Sequence, residues 1–190
     1  MTESVVTEND HPPRTVCICI TGGIAAFKVA GLVSQLAQSN WNVTVVMTPA
    51  ATKFVGETTF QSLSGKPVIT SVFGDADAPF GAHVKVCNEC DLLLIAPATA
   101  DFIAKAAVGI SDCVASTTYL AFGGTVLVAP AMNSVMWNKP ATQRNVQQLR
   151  EDGVIFVGPE DGWLSCRQSG PGRLVNDRCL IDALKDHYPQ

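Results

Sequence analysis

Residues 15–38, TVCICITGGIAAFKVAGLVSQLAQ, decide the fold, because a strand, a glycine turn and a helix follow one another there without interruption. Thr15–Ile20 is almost wholly apolar or β-branched, as expected for a buried strand. Gly22 and Gly23 favour a tight turn, and the apolar residues of Ile24–Gln38 recur with a helical period. This order predicts the first unit of a parallel α/β sheet.

The same alternation continues along the chain. Further strands are predicted over Asn42–Met47, Val68–Phe73, Leu92–Ala96, Thr125–Val128 and Val154–Val157. Helical segments are predicted over Pro49–Phe54, Glu57–Ser64, His83–Cys90, Asp101–Val108, Cys113–Phe122, Ser134–Asp152 and Asp177–Lys185, with loops over Asp75–Gly81 and Gly158–Arg173. Because the strands are apolar on both faces, we predict one α/β domain with a Rossmann-like, flavodoxin-like parallel sheet covered by helices on both sides.

The composition excludes several classes of protein. Apolar residues make up 47% and charged residues 16% of the 190 residues, which is too apolar for a disordered chain. The net charge of −4 argues against a nucleic-acid partner, and no apolar run approaches the ~20 residues of a membrane span. Residues 1–14 lack a signal-peptide pattern and are predicted to be a disordered leader before a domain over residues 15–190. We expect a cytoplasmic protein without a membrane partner.

The seven cysteines are predicted to be free thiols in a reducing compartment. Cys17 and Cys19 alternate within the first strand and are expected to be small buried apolar side chains. Cys87 and Cys90 form a CxxC pair, but a zinc site would need a second pair, and a redox site would place the pair at the start of a helix. No metal site is predicted.

Unusual segments stand where the predicted strands end, which is where open parallel sheets bind ligands. The turn after the first strand could bring a phosphate to a helix N-terminus, or could simply need glycine for its geometry. The second strand ends at Thr48, where a dinucleotide site usually has an acidic residue, so the pattern favours a mononucleotide or flavin over NAD. His83 follows a strand-end loop and is the histidine best placed for catalysis. Several neighbours could be helix caps or core residues instead: Thr99, Asp101, Asn133, Met132, Met136 and Trp137.

Taken together, these motifs resemble the flavin-dependent cysteine decarboxylases, a family that includes phosphopantothenoylcysteine decarboxylases and lantibiotic-type peptidyl-cysteine decarboxylases. The resemblance covers about residues 15–176. It rests on TGGIAAFK (21–28), His83 at the start of a short helix, PATAD (97–101), PAMNSVMW (130–137), and Cys166 followed by GPGR (170–173). The third and fourth motifs at this spacing are highly specific.

The resemblance implies an FMN cofactor and assigns residues to it. The FMN phosphate is expected at Gly22, Gly23, Ile24, Ala25 and Thr48, and the flavin along Pro97, Ala98, Thr99 and Ala100. The implied catalytic residues are His83, Asn133 and Cys166, and the implied substrate contacts are Asn133, Met132, Met136, Cys166, Arg167 and Arg173. The family also implies a homo-oligomer, trimers forming a dodecamer, with flavin sites between subunits.

The implied chemistry explains why these residue types suffice. A cysteine carboxylate does not readily lose CO₂, because the carbanion left behind has no electron sink. Oxidation of the thiol to a thioaldehyde creates that sink, and a flavin is the oxidant. His83 would deprotonate or orient the thiol and Asn133 would hold the carboxylate, so neither a metal nor pyridoxal phosphate is needed.

Two departures from the family pattern bear on the substrate. Glu89-Cys90-Asp91 replaces a usual Trp, and Arg167-Gln168 follows Cys166 where the pantothenate enzymes have Gly and an acid. From these departures, and from a chain with no room for a ligase domain, we predict oxidative decarboxylation of the C-terminal cysteine of a peptide to an enethiol. The alternative is phosphopantothenoylcysteine decarboxylase, which Cys166 favours as a proton donor. A non-catalytic flavin-binding regulatory subunit is disfavoured, because His83 and Asn133 are both present.

Overall fold

A parallel sheet forms the centre of the computed structural model, which describes residues 13–73 and 81–189. Its five strands lie in the order β2-β1-β3-β4-β5. They are β1 Arg14–Ile20, β2 Trp41–Met47, β3 Leu92–Ala98, β4 Thr125–Pro130 and β5 Ile155–Phe156. A separate antiparallel hairpin consists of β6 Glu160–Trp163 and β7 Ser169–Arg173.

Helices cover both faces of the sheet, as predicted. They are α1 Ala26–Gln38, α2 Glu57–Ser64, α3 Ala82–Glu89, α4 Ala100–Val108, α5 Val114–Ala121, α6 Ser134–Trp137, α7 Pro140–Glu151 and α8 Asp177–Asp186. Within the described ranges, none of these helices has the length and apolar character needed to cross a membrane.

The side chains of β1 alternate between two hydrophobic cores, one on each face of the sheet. Ile18 and Ile20 pack with α1 and α8 on one face, whereas Cys17 and Cys19 pack with α4 and α5 on the other. All four side chains are fully buried, so the expected role of the two cysteines as small apolar residues is confirmed. The loss of water from both faces explains why the strands are apolar throughout.

Three predicted elements differ from the structure. Val68–Phe73 is not a strand, because only Ile69 bridges to β2. The helix predicted over Ser134–Asp152 is divided, because Pro140 lacks an N–H and begins a new helix. The predicted loop Gly158–Arg173 contains the β6–β7 hairpin.

Two other predicted segments fall largely outside the described residues. Of the predicted leader 1–14, only residues 13 and 14 are described, and β1 already begins at Arg14. Of the predicted loop Asp75–Gly81, only Gly81 is described.

The strand order positions the functional site. The chain runs from β1 to β2 on one side and then returns to β3 on the other side of β1. A crevice therefore opens at the carboxyl ends of β1 and β3, where open sheets bind their ligands.

Candidate functional site

A cavity of about 370 Å³ occupies this crevice. Its walls come from the turn before α1, the start of α4, the loop after β4 and the hairpin. The lining residues are Gly22, Gly23, Ile24, Ala25, Phe27, Lys28, Thr99, Ala100, Ala131, Met132, Asn133, Met136, Trp163, Leu164, Ser165, Cys166, Gly172, Arg173 and Leu174. Lys28 and Arg173 are the cations in this lining, and Arg173 is paired with Glu160 outside it. Because the lining itself includes no carboxylate from the described ranges, the cavity suits an anionic ligand.

The residues Gly22–Ala25, called here the glycine turn, bring backbone N–H groups to the cavity. A Cβ on Gly22 would lie 2.3 Å from the Cβ of Ala50, so the turn can approach the end of β2 only with glycine there. In the described part of the chain, the N–H groups of Ile24 and Ala25 donate to no backbone carbonyl. Free N–H groups just before a helix form a site for a phosphate.

The PATAD segment contributes in part. Thr99 and Ala100 line the cavity, while Pro97 and Ala98 belong to β3 and do not. Thr99 also caps α4, because its hydroxyl accepts a hydrogen bond from the N–H of Phe102 at 3.3 Å. Thr48 is buried behind the turn and accepts from the N–H of Ala51 at 3.2 Å, so it supports the site without lining it.

Asn133 caps a helix and also offers a hydrogen-bond donor to the cavity. Its Oδ1 accepts from the N–H of Met136 at 2.8 Å and thereby caps α6. Because that bond uses the carbonyl oxygen, the side-chain NH₂ is the group left to donate to a ligand carboxylate. Met132 and Met136 line the same cavity, whereas Trp137 packs against the hydrophobic core.

The hairpin covers the cavity and is fixed to the Asn133 loop. The N–H of Met132 donates to the carbonyl of Gly172 at 2.9 Å, and a Cβ on Gly172 would lie 2.2 Å from the carbonyl oxygen of Met132. Arg173 binds Glu160 across the two strands at 3.1 Å. At the tip, exposed Cys166 lines the cavity.

Arg167 does not contribute to the cavity, contrary to prediction. It is exposed, does not line the cavity, and has a φ of +62°, the left-handed backbone that favours glycine. This position therefore suits glycine for reasons of backbone geometry, and Arg167 is not evidence for a peptide substrate.

His83 lies at the start of α3 and is not among the lining residues. Its Nδ1 is buried without a partner in the described ranges. Gly81 allows the ring to lie close to the backbone, because a Cβ there would be 3.0 Å from Cε1 of His83. One chain thus brings Asn133 and Cys166 together but leaves His83 outside the cavity.

The sequence analysis missed several lining residues, notably Phe27, Lys28, Trp163 and Leu164. Phe27 and Trp163 are 58% and 63% exposed. Large aromatic side chains outside the core are the signal that could have identified them, although the helical period alone cannot say which exposed side chain faces a ligand.

The thiols of the CxxC pair lie in surroundings that favour the protonated form. Burial raises the pKa of Cys90 to about 12, and burial also raises the pKa of Cys87, so both stay protonated thiols. No group of three or more metal-ligating side chains occurs in residues 13–73 and 81–189.

The flavoprotein family model matches residues 4–188 of this chain. Among curated relatives, the coenzyme A biosynthesis bifunctional protein CoaBC of Bacillus subtilis is 40% identical over 177 residues, which are 93% of this chain and 44% of that protein. CoaBC of Mycobacterium tuberculosis is 44% identical over 167 residues, 87% of this chain and 40% of that protein. This chain therefore spans less than half the length of these relatives.

Solved structures agree with the family. The FMN-dependent cysteine decarboxylase SpaF is 34% identical with a TM-score of 0.76, and the match covers 90% of this chain and 98% of SpaF. A phosphopantothenoylcysteine (PPC) decarboxylase mutant complexed with pantothenoylaminoethenethiol has a TM-score of 0.81, covering 91% and 97%, and at 24% identity it supports the fold alone.

The chain belongs to the flavoprotein family, among its FMN-dependent cysteine decarboxylases. The comparisons support an enzyme with an FMN cofactor. The site fits this cofactor, since the glycine turn offers free N–H groups to a phosphate and the rest of the cavity offers mainly apolar and aromatic walls to a ring system.

The prediction of a peptide substrate is wrong. The curated relatives are bifunctional proteins of coenzyme A biosynthesis, and they match most of this chain at 40% and 44% identity. The prediction rested on Arg167 and on chain length. Arg167 lies outside the cavity, and the length of the chain is weaker evidence than its identity to these relatives.

Proposed function

We propose that this chain decarboxylates phosphopantothenoylcysteine to the corresponding thiol in coenzyme A biosynthesis. The observation that carries the proposal is Cys166, whose thiol lines the same cavity as Asn133. A thiol beside the substrate would supply the proton, and reduced FMN the hydride, that together convert an enethiolate into a saturated thiol. The relatives' identity supports the same substrate.

Several residues of the cavity have a role in this proposal. The N–H groups of Ile24 and Ala25 bind the FMN phosphate. FMN, when bound, supplies the reversible two-electron oxidation of the substrate thiol that makes CO₂ loss possible. The NH₂ of Asn133 donates to the substrate carboxylate, and the hydrogen bond from Met136 fixes the orientation of that amide.

The hairpin closes the site and completes the reaction. Cys166 lies at its exposed tip, and the bond between Met132 and Gly172 holds the hairpin over the Asn133 loop. After CO₂ has left, Cys166 would donate a proton to the enethiolate, and reduced FMN would return the hydride that it took from the substrate, so the net reaction would release CO₂ alone.

A second subunit is proposed to supply His83, because this residue does not line the cavity of its own chain. Exposed apolar side chains surround the cavity mouth and suit burial against another copy: Ile24, Phe27, Val135, Met136 and Trp163. We propose trimers that assemble into a dodecamer, in the cytoplasm, where the free thiols of the chain stay reduced.

Steady-state kinetics test the substrate. The purified FMN protein is offered phosphopantothenoylcysteine and a peptide ending in cysteine. A kcat/KM at least about a hundredfold higher for phosphopantothenoylcysteine is expected, because a site built for one substrate leaves polar groups unpaired with another. Equal values, or a preference for the peptide, would contradict the proposal.

Complementation tests the shared site. His83→Asn and Asn133→Asp should each be inactive with FMN bound. Unfolding and refolding a mixture of the two should restore part of the activity, because some sites then combine an intact His83 with an intact Asn133 from another subunit. A mixture that stays inactive, although differently tagged copies of the two variants co-purify, would contradict a site shared in this way.

A further inference from the structure

Thr21 lies between β1 and the glycine turn and is only 1% exposed. Its hydroxyl donates to the carbonyl oxygen of Pro97 at 2.6 Å and accepts from the N–H of Thr99 at 3.0 Å. The hydroxyl of Thr99 lies 3.3 Å away. One buried side chain thus bonds twice to the segment that leads from β3 into α4.

The hydroxyl of Thr21 continues the sheet where main-chain pairing stops. The paired residues of β1 and β3 run from Val16 with Leu92 to Cys19 with Ile95. Pro97 has no N–H, so a regular ladder of hydrogen bonds cannot extend through it. The side chain of Thr21 satisfies the carbonyl of Pro97 and the N–H of Thr99 instead.

These two bonds join opposite walls of the cavity. The glycine turn begins at the residue after Thr21, and Thr99 and Ala100 form the facing wall. Thr21 itself does not line the cavity. Its position therefore affects a ligand only through the spacing of the two walls.

We propose that Thr21 is a positioning residue for FMN, whose hydroxyl sets the distance between the glycine turn and Thr99. This inference rests on the placement of FMN proposed above. Without the hydroxyl, the carbonyl of Pro97 and the N–H of Thr99 lack partners unless the segments separate and admit water. Binding of FMN must then bring the two walls together again. Because this movement costs free energy, the affinity for FMN falls.

Three variants test the role of the hydroxyl. Thr21→Val removes it with little change in shape, and Thr21→Ser keeps it. Thr118→Val is the matched control, because Thr118 is fully buried and its hydroxyl has no partner in the described part of the chain. The Kd for FMN is measured from the fluorescence of FMN released when the holoprotein is diluted, and the Tm of each holoprotein is recorded.

We expect Thr21→Val to raise the Kd for FMN at least about tenfold, a change of ~1.4 kcal/mol in binding. Thr21→Ser and Thr118→Val should keep the Kd within about threefold of the wild-type value. A Thr21→Val protein with a lowered Tm and an unchanged Kd would overturn the proposal, because the hydroxyl would then serve the fold alone. A raised Kd in Thr21→Ser equal to that of Thr21→Val would overturn it too.

Thr21→Ala replaces Thr21→Val if the latter does not fold. Alanine and serine both lack the methyl group of threonine, so a lower Kd for Thr21→Ser than for Thr21→Ala isolates the effect of the hydroxyl. Equal Kd values contradict the proposal. These readouts do not depend on the substrate. A wild-type protein that binds FMN but does not decarboxylate phosphopantothenoylcysteine would refute the proposed function and leave this test unaffected.

Discussion

The two sides of the cavity are built in different ways. The cofactor side, formed by the glycine turn and Thr99–Ala100, rests on buried strands and presents mainly backbone groups. The substrate side, formed by Asn133 and the hairpin, presents side chains on an exposed element whose tip includes Cys166. Buried backbone constrains the sequence strongly, whereas an exposed hairpin tolerates substitutions such as Arg167 that say little about function.

The largest effect is expected for Asn133→Asp, which should impair the substrate side of the cavity and leave the cofactor side intact. Aspartate keeps the cap of α6, so the Tm should stay close to that of the wild type. The new carboxylate faces the carboxylate of the substrate, and such like-charge contacts cost several kcal/mol. Turnover should fall by about a hundredfold or more, measured by steady-state kinetics with FMN still bound.

Asn133→Ala is the control, because it removes the cap and should lower stability by ~1 kcal/mol. If Asn133→Asp retains normal turnover, the substrate carboxylate is held by another residue.

A smaller effect is expected on the cofactor side from Gly22→Ala. The added Cβ would meet the Cβ of Ala50 at 2.3 Å, which forces the turn away from β2 and should cost ~1–3 kcal/mol of stability. FMN should also bind more weakly, because the N–H groups of Ile24 and Ala25 move. Thermal unfolding and FMN release on dilution measure the two effects.

Gly23→Ala provides a matched comparison. Its Cβ would lie 3.5 Å from Thr99, an ordinary contact distance, so the Tm should change little. Equal losses of Tm in both variants would show that the close approach at Gly22 does not shape this turn.

The smallest effect is expected at the opposite end of the sheet. Hydrogen bonds from Thr15 and then from Tyr188 lower the pKa of Asp91 below its usual value. A lowered pKa in the folded state stabilises the protein above the unfolded pKa of ~3.9, and this stabilisation is lost as the pH falls through the folded pKa. Asp91 is largely exposed, so its contribution should stay below ~1 kcal/mol.

Thermal unfolding of the wild type and of Asp91→Asn across pH measures this contribution. The wild type should be slightly more stable at neutral pH, and the difference should vanish at acid pH. FMN affinity should not change at any pH, since Asp91 is remote from the cavity. A lasting difference at low pH would mean that the carboxylate charge is not the cause.

The sequence predicted the sheet well, since an apolar run such as Leu92–Ala96 has few alternatives once buried, and the Gly22–Gly23 turn leads from β1 to α1 as predicted. The sequence analysis failed where contacts with other segments of the chain determine the local structure. Val68–Phe73 is apolar enough for a strand, yet only Ile69 reaches β2. The glycines of the hairpin suggested a loop, but Gly172 is needed for the close approach to Met132.

The sequence also placed His83 with Asn133, and the fold of one chain does not bring them into one cavity. The family resemblance implied flavin sites between subunits, and that expectation stays a prediction. The substrate was predicted wrongly because Arg167 was given a role in recognition, whereas it is exposed and does not line the cavity.

The mass of the product tests the central claim most directly. Wild-type protein with FMN is incubated with phosphopantothenoylcysteine, and so is Cys166→Ser, which removes an exposed thiol without changing the core. The wild type should give a product lighter than the substrate by CO₂ alone, whereas Cys166→Ser should stall at a product lighter by CO₂ and two hydrogens. A wild-type product that has lost CO₂ and two hydrogens, or a normal product from Cys166→Ser, would contradict the role given to Cys166 and the reaction proposed for this chain.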